Sequence, residues 1–379
     1  EVTVFEAEKK PGGMLTCAIP SYRLPREVIE KEIDALLDEN ITVKCGVALG
    51  RDIDIDGLFE SGYGAVLLAI GAHKSKPLRL ENEDVEGVYP SIEFLKAFNL
   101  QERQLAKGKV GVIGGGNSAI DAARMALRLK DVDEVTILYR RTRNEMPAFA
   151  EEIEAADQEG IRIETLVTPV RIVNNNGRLA GLECIRNELG EADESGRRRP
   201  MPIDGTEHVI DLDTLIVAIG EDSGIDAITP AKSSQIETTP WNTVRVDPTT
   251  MQTNRPGVFA AGDVVRGPNT VVEAIADGKK AAVIIERFLK KEPLLQPMFA
   301  RLPQVYVEPI VDEAALGGDR SETPRAPAEW RRRNFAEVEV ALSQAEARRE
   351  SLRCLRCDLE FTRNEKEKQT VTETGRQSA

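Results

Sequence analysis

Apolar and polar positions along the chain repeat one pattern: a short apolar block, then glycines, then a stretch with apolar residues at helical spacing. Val2–Phe5 predicts a strand ended by Glu6 and followed by the Gly12-Gly13 pair. Val28, Ile29, Ile33, Leu36 and Leu37 then predict a helix with Pro25 near its start. Val43–Val47 reads as a short strand, and Tyr63–Ala72 (YGAVLLAIGA) as a buried strand running into a glycine turn. Lys109–Arg141 is the richest stretch: an apolar run (Val110–Ile113), a glycine cluster (Gly114–Gly116), an alanine-rich amphipathic helix and a second β-branched run (Val135–Leu138). A loop and a short acidic helix follow. Ile161–Val173 and Leu179–Arg186 predict strands joined by the Asn-Asn-Asn-Gly turn at 174–177, and the charged, glycine-containing stretch 187–205 an exposed hairpin. Asp213–Gly220 (DTLIVAIG) echoes 63–71, which suggests two related nucleotide domains. Val244–Asp247 and Gly257–Asp263 (GVFAAGD) predict strands, and Thr270–Leu289 a long amphipathic helix. Beyond Lys290 the chain turns proline-rich, then highly charged and helical over Glu337–Arg353, and ends in a polar, disordered tail.

Strand, glycine turn, helix and strand in this order form the first half of a dinucleotide-binding unit. Gly114 permits the tight turn, Gly116 lets the backbone approach a pyrophosphate, and Ala119 packs the helix closely on the strand. The anion would sit on the free N–H groups at the helix start. An acid at the tip of the second strand would select the 2′-hydroxyl of NAD. This chain has Tyr139, Arg140, Arg141 and Arg143 there, and guanidinium forks suit the 2′-phosphate of NADP(H). A solvated basic turn is the alternative reading. Glu6, at the tip of the first strand, stands where an acid would hold an adenosine ribose, or else it merely ends an edge strand. The strand and glycine turn that should precede it are expected upstream, roughly half of a ~30-residue βαβ unit. GVFAAGD before a helix suits a flavin: Asp263 can bind ribityl or phosphate-linked hydroxyls, and the helix start near Thr270 can face the ring edge that becomes negative on reduction. A structural Asp cap is the alternative.

Composition narrows this further. The 379 residues allow two or three domains, and 41% apolar content is enough for real cores. A net charge of −14 argues against nucleic acid and anionic membranes as main partners. No run of about 18 apolar residues occurs, and no secretory signal precedes the first strand. Of Cys17, Cys45, Cys184, Cys354 and Cys357, only the last two are close together, which is not a secreted disulfide framework. A cytoplasmic location follows as the default.

GGMLTCAIPSYRLP, VGVIGGGNSAIDAAR, TILYRRTRNEMPA, GVFAAGDVVRGPNTVVEAIADGKKAA and RRRNFAEVEVALSQAEARRESLRCLRCD together resemble the NADPH-dependent glutamate synthase small (beta) subunit family. That family lies within the pyridine nucleotide-disulfide oxidoreductase superfamily. Its relatives include the large subunit of a ferredoxin:NADP oxidoreductase and flavoprotein subunits of hydrogenases and formate dehydrogenases. The resemblance covers about residues 1–360. It implies an α/β fold with two Rossmann-like domains: an FAD domain in two pieces (1–105 and 235–295), an inserted NADP(H) domain (106–234) and a helical C-terminal extension (296–379). Hydride would pass from NADPH to FAD, and electrons would leave through iron–sulfur centres to a partner subunit. That partner would be a glutamate synthase large subunit, a ferredoxin, or a hydrogenase or formate dehydrogenase module. By position, Gly114, Gly116, Asn117, Ser118 and Ala119 would hold the NADP pyrophosphate, and Arg140 and Arg141 its 2′-phosphate. Glu6, Gly13, Leu15, Gly71, Gly262, Asp263 and Thr270 would lie along the FAD. Cys354 and Cys357 would supply two of the four ligands of a [4Fe-4S] cluster completed elsewhere, or else form a vestigial or structural pair. Two other functions stand beside this one. A disulfide reductase needs a redox thiol pair beside the flavin, and residues 1–300 hold none. An NADP(H)-binding assembly subunit with a non-functional FAD site needs no flavin at all.

Overall fold

Val110, Val112, Val135 and Ile137 are buried, as the middle strands of a parallel sheet are when both faces are covered, here by helices on one face and by an antiparallel sheet on the other. They belong to β6 (Gly108–Ile113) and β7 (Val132–Tyr139), the centre of a five-stranded sheet in the computed structural model, which describes residues 1–192, 196–225, 228, 236–296, 321 and 323–352. The elements before them are β1 (Val2–Glu6), α1 (Met14–Cys17), α2 (Arg26–Leu36), β2 (Ile41–Cys45), α3 (Ile55–Glu60), β3 (Val66–Leu68), β4 (Lys74–Ser75), β5 (Val88–Pro90) and α4 (Ser91–Gln101). Helix α5 (Asn117–Leu127) joins β6 to β7. After β7 come α6 (Ala150–Gln158), β8 (Arg162–Thr165), β9 (Val167–Asn175), β10 (Arg178–Ala192), β11 (Arg198–Pro202), β12 (His208–Asp211), β13 (Thr214–Val217) and β14 (Glu221–Asp222). The last described elements are β15 (Val258–Ala260), α7 (Asp263–Arg266), α8 (Val271–Lys290), α9 (Ala328–Arg331) and α10 (Gln344–Leu352).

The sheet runs β5-β13-β6-β7-β8, all parallel, and β9, β10, β11 and β12 form an antiparallel sheet inserted between β8 and β13. The flanking segments hold two separate parallel pairs, β1 with β2 and β3 with β15, the second of them backed by an apolar cluster. Ile55, Leu68, Val258, Ala260 and Val264 belong to that cluster. A short antiparallel pair, β4 with β14, brackets the segment that forms the five-stranded sheet.

Several expected elements are redrawn. The strand expected over Ile161–Val173 is two strands, because Leu166 takes a left-handed φ of 59° between them. Tyr63–Ala72 contributes only β3, and Val244 forms an isolated bridge to Thr238 rather than a strand. The stretch 187–205 holds the end of β10 and all of β11, paired antiparallel.

The chain divides into two compact units, 1–296 with 327–337, and 297–326 with 338–379. Residues 327–337 therefore belong with the nucleotide-binding body. Within the second unit Ala326 and Val340 donate backbone hydrogen bonds to Val338 and Pro324. The helix expected over Glu337–Arg353 is only α10. Its start is fixed by a capping box, in which Ser343 Oγ accepts from Glu346 N (3.2 Å) and Glu346 Oε2 accepts from Ser343 N (2.8 Å). The proposed cluster cysteines Cys354 and Cys357 and the polar tail lie outside the described residues.

Candidate nucleotide-binding site

Three consecutive glycines do three different things at the end of β6. Gly114 has φ +142°, and a Cβ there would stand 2.1 Å from the carbonyl oxygen of Ala218 on the neighbouring strand. A Cβ on Gly115 would meet the Tyr139 ring at 2.5 Å. Gly116 has an ordinary extended backbone, and nothing lies within 4 Å of where its Cβ would be. The first two glycines are demanded by packing, and the third leaves open space at the start of α5. No side chain caps that helix start, so its first N–H groups face the opening left by Gly116. These residues fit a dinucleotide pyrophosphate. Ala119 is fully buried, and its Cβ lies 3.2 Å from the Gly114 Cβ position.

The side chains expected at the phosphates do other work. Asn117 Oδ1 accepts from Phe149 N (3.0 Å) and, with Ala148 N donating to Gly115 O (3.1 Å), ties the loop before α6 beside the glycine turn. Burial pushes the Glu221 carboxyl up, and the nearby Ser118 hydroxyl draws it partly back. Two residues on, Ser223 Oγ donates to Asp263 O (3.1 Å). Ser223 thus ties the end of β14 to the Gly262–Asp263 turn, and Glu221 on the same strand faces the start of α5. The sequence reading missed both, since neither stands in a motif.

At the tip of β7 the two arginines part ways. Arg140 is exposed, and its carbonyl accepts from Asn187 Nδ2 (3.0 Å). Arg141 is buried, and its Nε donates to Arg198 O (2.6 Å) on β11. Arg143 pairs with Asp157.

Outside the five-stranded sheet, Glu6 ends β1 and its Oε1 accepts from Glu8 N (2.8 Å). Gly13, with φ +54° and open space about it, starts α1, where Leu15 is half-buried. Gly71, φ +68°, faces the ring of His73. Burial first, then the charge of Lys96, pushes that imidazole down to about 4. Gly262 starts α7 with φ +75°, and Asp263 has its carboxyl raised by burial against a hydrogen bond from the Asn269 backbone. Thr270 is a helix cap: its Oγ1 accepts from Glu273 N (3.3 Å) and donates to Glu273 Oε2 (2.9 Å). The first turns of α8 leave Val272 and Ile275 exposed. Glu6 and Gly13 at one end, and Gly262, Asp263 and the apolar start of α8 at the other, fit the ribose and ring ends of a flavin dinucleotide.

Cys17 and Cys184 are free and buried, and burial pushes their thiols up to about 11 and about 12, far from thiolate reactivity. Cys45 is free and exposed. Among the described residues no cluster of three or more His, Cys, Asp or Glu could hold a metal ion, and no helix is long and apolar enough to cross a membrane.

A family model described as pyridine nucleotide-disulphide oxidoreductase matches residues 2–278. The chain is 41% identical over 366 residues to an NADP(+)-dependent formate dehydrogenase subunit beta from Moorella thermoacetica, covering 94% of this chain and 51% of that one. It is 34% identical over 313 residues to the glutamate synthase [NADPH] small chain of Escherichia coli (strain K12), covering 76% and 64%. The chain thus spans about half to two thirds of the length of these relatives. Among solved structures, Mycobacterium tuberculosis FprA in complex with NADPH shares the fold, with a TM-score of 0.62, 17% identity and coverage of 76% and 78%. The five-stranded parallel sheet, the open glycine turn and the family match agree, and the chain belongs to the pyridine nucleotide-disulphide oxidoreductase family.

Proposed function

We propose that this chain is the NADP(H)- and FAD-binding part of an oxidoreductase that exchanges electrons with a partner subunit. The observation that carries the reading is the open glycine turn at Gly116, beside a strand tip with an exposed arginine where an NAD site has an acid. FAD, when bound, exchanges a hydride with the nicotinamide and passes electrons on singly. The chain's own residues bind and orient. The start of α5 takes the NADP pyrophosphate, Arg140 faces the 2′-phosphate, and Glu6 takes the FAD ribose. The hydrogen bond from Ser223 to the Asp263 carbonyl, with Glu221 two residues before it facing Ser118, holds the two sites in register.

Similarity to formate dehydrogenase and NADPH-Fe(3+) oxidoreductase beta subunits and to a glutamate synthase small chain supports a partner subunit. Unpaired cysteines among the described residues support a reducing, cytoplasmic setting. Cys354 and Cys357 remain the proposed cluster thiolates. Iron and acid-labile sulfide contents that stay the same in a Cys354→Ser, Cys357→Ser variant would remove them.

The test is a visible spectrum of the purified protein, followed by anaerobic reduction with NADPH or NADH. Flavin at near-stoichiometric occupancy, bleached faster by NADPH, is expected. Protein that binds NADPH but no FAD would instead be the assembly subunit, and equal bleaching by NADH would remove the 2′-phosphate reading.

A further inference from the structure

The inserted antiparallel sheet overhangs the nucleotide end of the parallel sheet. Strand β9 leaves the C-terminal end of β8, where Thr165 pairs with Tyr139, and Val167 at its start pairs with Arg186 of β10. Beyond Arg186, β10 therefore runs out past the strand tips and pairs there with β11 as a two-stranded ribbon. This is the end at which a Rossmann-type sheet holds its ligand, with the second-strand tip at the adenosine ribose.

The ribbon is fastened to that tip on both sides. Asn187, buried at its base, donates from Nδ2 to Arg140 O (3.0 Å) and to Thr168 Oγ1 (2.8 Å), and from its backbone N to Leu166 O (2.8 Å). Arg141 Nε donates to Arg198 O (2.6 Å) across the outer edge of β11. Arg198 folds its own guanidinium back onto the ribbon, to Gly190 O (3.1 Å) and Leu189 O (2.6 Å). Arg199 is exposed, and alternation along the strand sends it to the face opposite Arg198. In a chain of net charge −14, the Arg198 backbone is thereby tied to the tip of β7, with Arg197 and Arg199 on either side of it in sequence.

Building on the NADP(H) reading above, we propose that the β10–β11 ribbon is the arm that selects the 2′-phosphate. Arg199 of the ribbon and Arg140 of the strand tip take the phosphate between them, while Arg141 is a positioning residue that holds the ribbon in place rather than a ligand. Two planar guanidinium forks approaching from different elements can each offer paired donors to a phosphate, which a 2′-hydroxyl does not reward.

The experiment is calorimetric titration of the full chain with 2′,5′-ADP and with 5′-ADP, which differ only by the 2′-phosphate. Arg199→Ser is expected to weaken 2′,5′-ADP about tenfold or more and leave 5′-ADP unchanged. Arg199→Lys should retain part of the preference. Arg141→Met should lower the preference, and Arg141→Lys, which still donates to Arg198 O, should restore part of it. If Arg140→Ala lowers the preference and Arg199→Ser does not, the ribbon assignment fails and the NADP(H) reading stands. If neither changes it, or the unaltered protein shows no preference, both fail. Equal loss of the two ligands in Arg199→Ser also overturns the proposal.

Discussion

Arg124 and Glu159 meet head-on beside the five-stranded sheet, Nη2 to Oε1 at 2.7 Å and Nε to Oε2 at 3.2 Å, with side chains 1% and 0% exposed. Arg128 joins the same carboxylate at 2.7 Å, and the ring of Tyr22 lies against both guanidiniums, 3.9 Å from Arg128 and 4.8 Å from Arg124. Burial raises the Glu159 carboxyl, but hydrogen bonds from Arg128 and Arg124 outweigh it and hold the group below the usual carboxylate range. Glu159→Gln would leave the buried Arg128 without its counter-charge and Arg124 with Glu152 alone, so a loss of about 3–5 kcal/mol is expected in urea denaturation at neutral pH. The same contribution is present above the unfolded carboxylate value and is lost as pH falls through the lower folded one. A loss under about 1 kcal/mol would mean that water reaches the cluster.

Phe335 stacks on Phe98 of α4, with ring centroids 4.4 Å apart and planes 26° from parallel. Beside it, Arg128 Nε donates to Asn334 O (3.0 Å), and Arg331 Nη2 donates to Gln158 Oε1 (2.8 Å). Residues 327–337 are thereby pinned to α4, α6 and the end of α5, away from the glycine turn. Phe335→Ala removes the aromatic anchor, at a cost of about 2 kcal/mol for a half-buried ring. Amide exchange over 327–337 should quicken while α5 keeps its protection. Equal quickening in both would show that the segment is part of the domain's folding core.

The β6–α5–β7 unit was legible because glycine order and the change from strand to helix period are local signals. The cluster around Glu159 was not. Asp121, Arg124 and Arg128 look like an ordinary solvated face of an amphipathic helix, and their partners Tyr22, Arg23, Glu159 and Arg331 are scattered over some 300 residues. Arg140 and Arg141 are equivalent as letters at a strand tip, and only the packing of β11 sends one inside and leaves the other out. The ribbon is legible as an exposed hairpin over 187–205, but its attachment to the tip of β7 is not, since that depends on Asn187 and Arg141 meeting partners on other strands.

Gly114 and Gly116 should separate stability from binding. Gly114→Ala would put a Cβ 2.1 Å from a backbone oxygen, at a φ that L residues rarely adopt, and should lower the melting temperature clearly. Gly116→Val meets nothing within 4 Å at an ordinary extended φ, so its melting temperature should stay near that of the unaltered protein. The new side chain fills the space through which a pyrophosphate approaches, and NADPH affinity should fall about tenfold or more. Full NADPH affinity in Gly116→Val would place the dinucleotide elsewhere.

His73 makes the fold sensitive to acid. Its folded value of about 4, set first by burial and then by Lys96, lies below the value near 6.5 of an exposed imidazole. Between these values the unfolded chain binds a proton that the folded chain refuses, so stability rises with pH across that window. It is fully present above the unfolded value and lost as pH falls toward about 4, with a total of about 3 kcal/mol. His73→Gln removes the titrating group and leaves every carboxylate in place. Urea midpoints measured for both proteins from about pH 4.5 to 7 should therefore diverge, the histidine protein losing about 2–3 kcal/mol more on acidification. Parallel curves would mean that His73 takes up its proton in the folded state as readily as in the unfolded one, and that the packing against Gly71 opens to solvent.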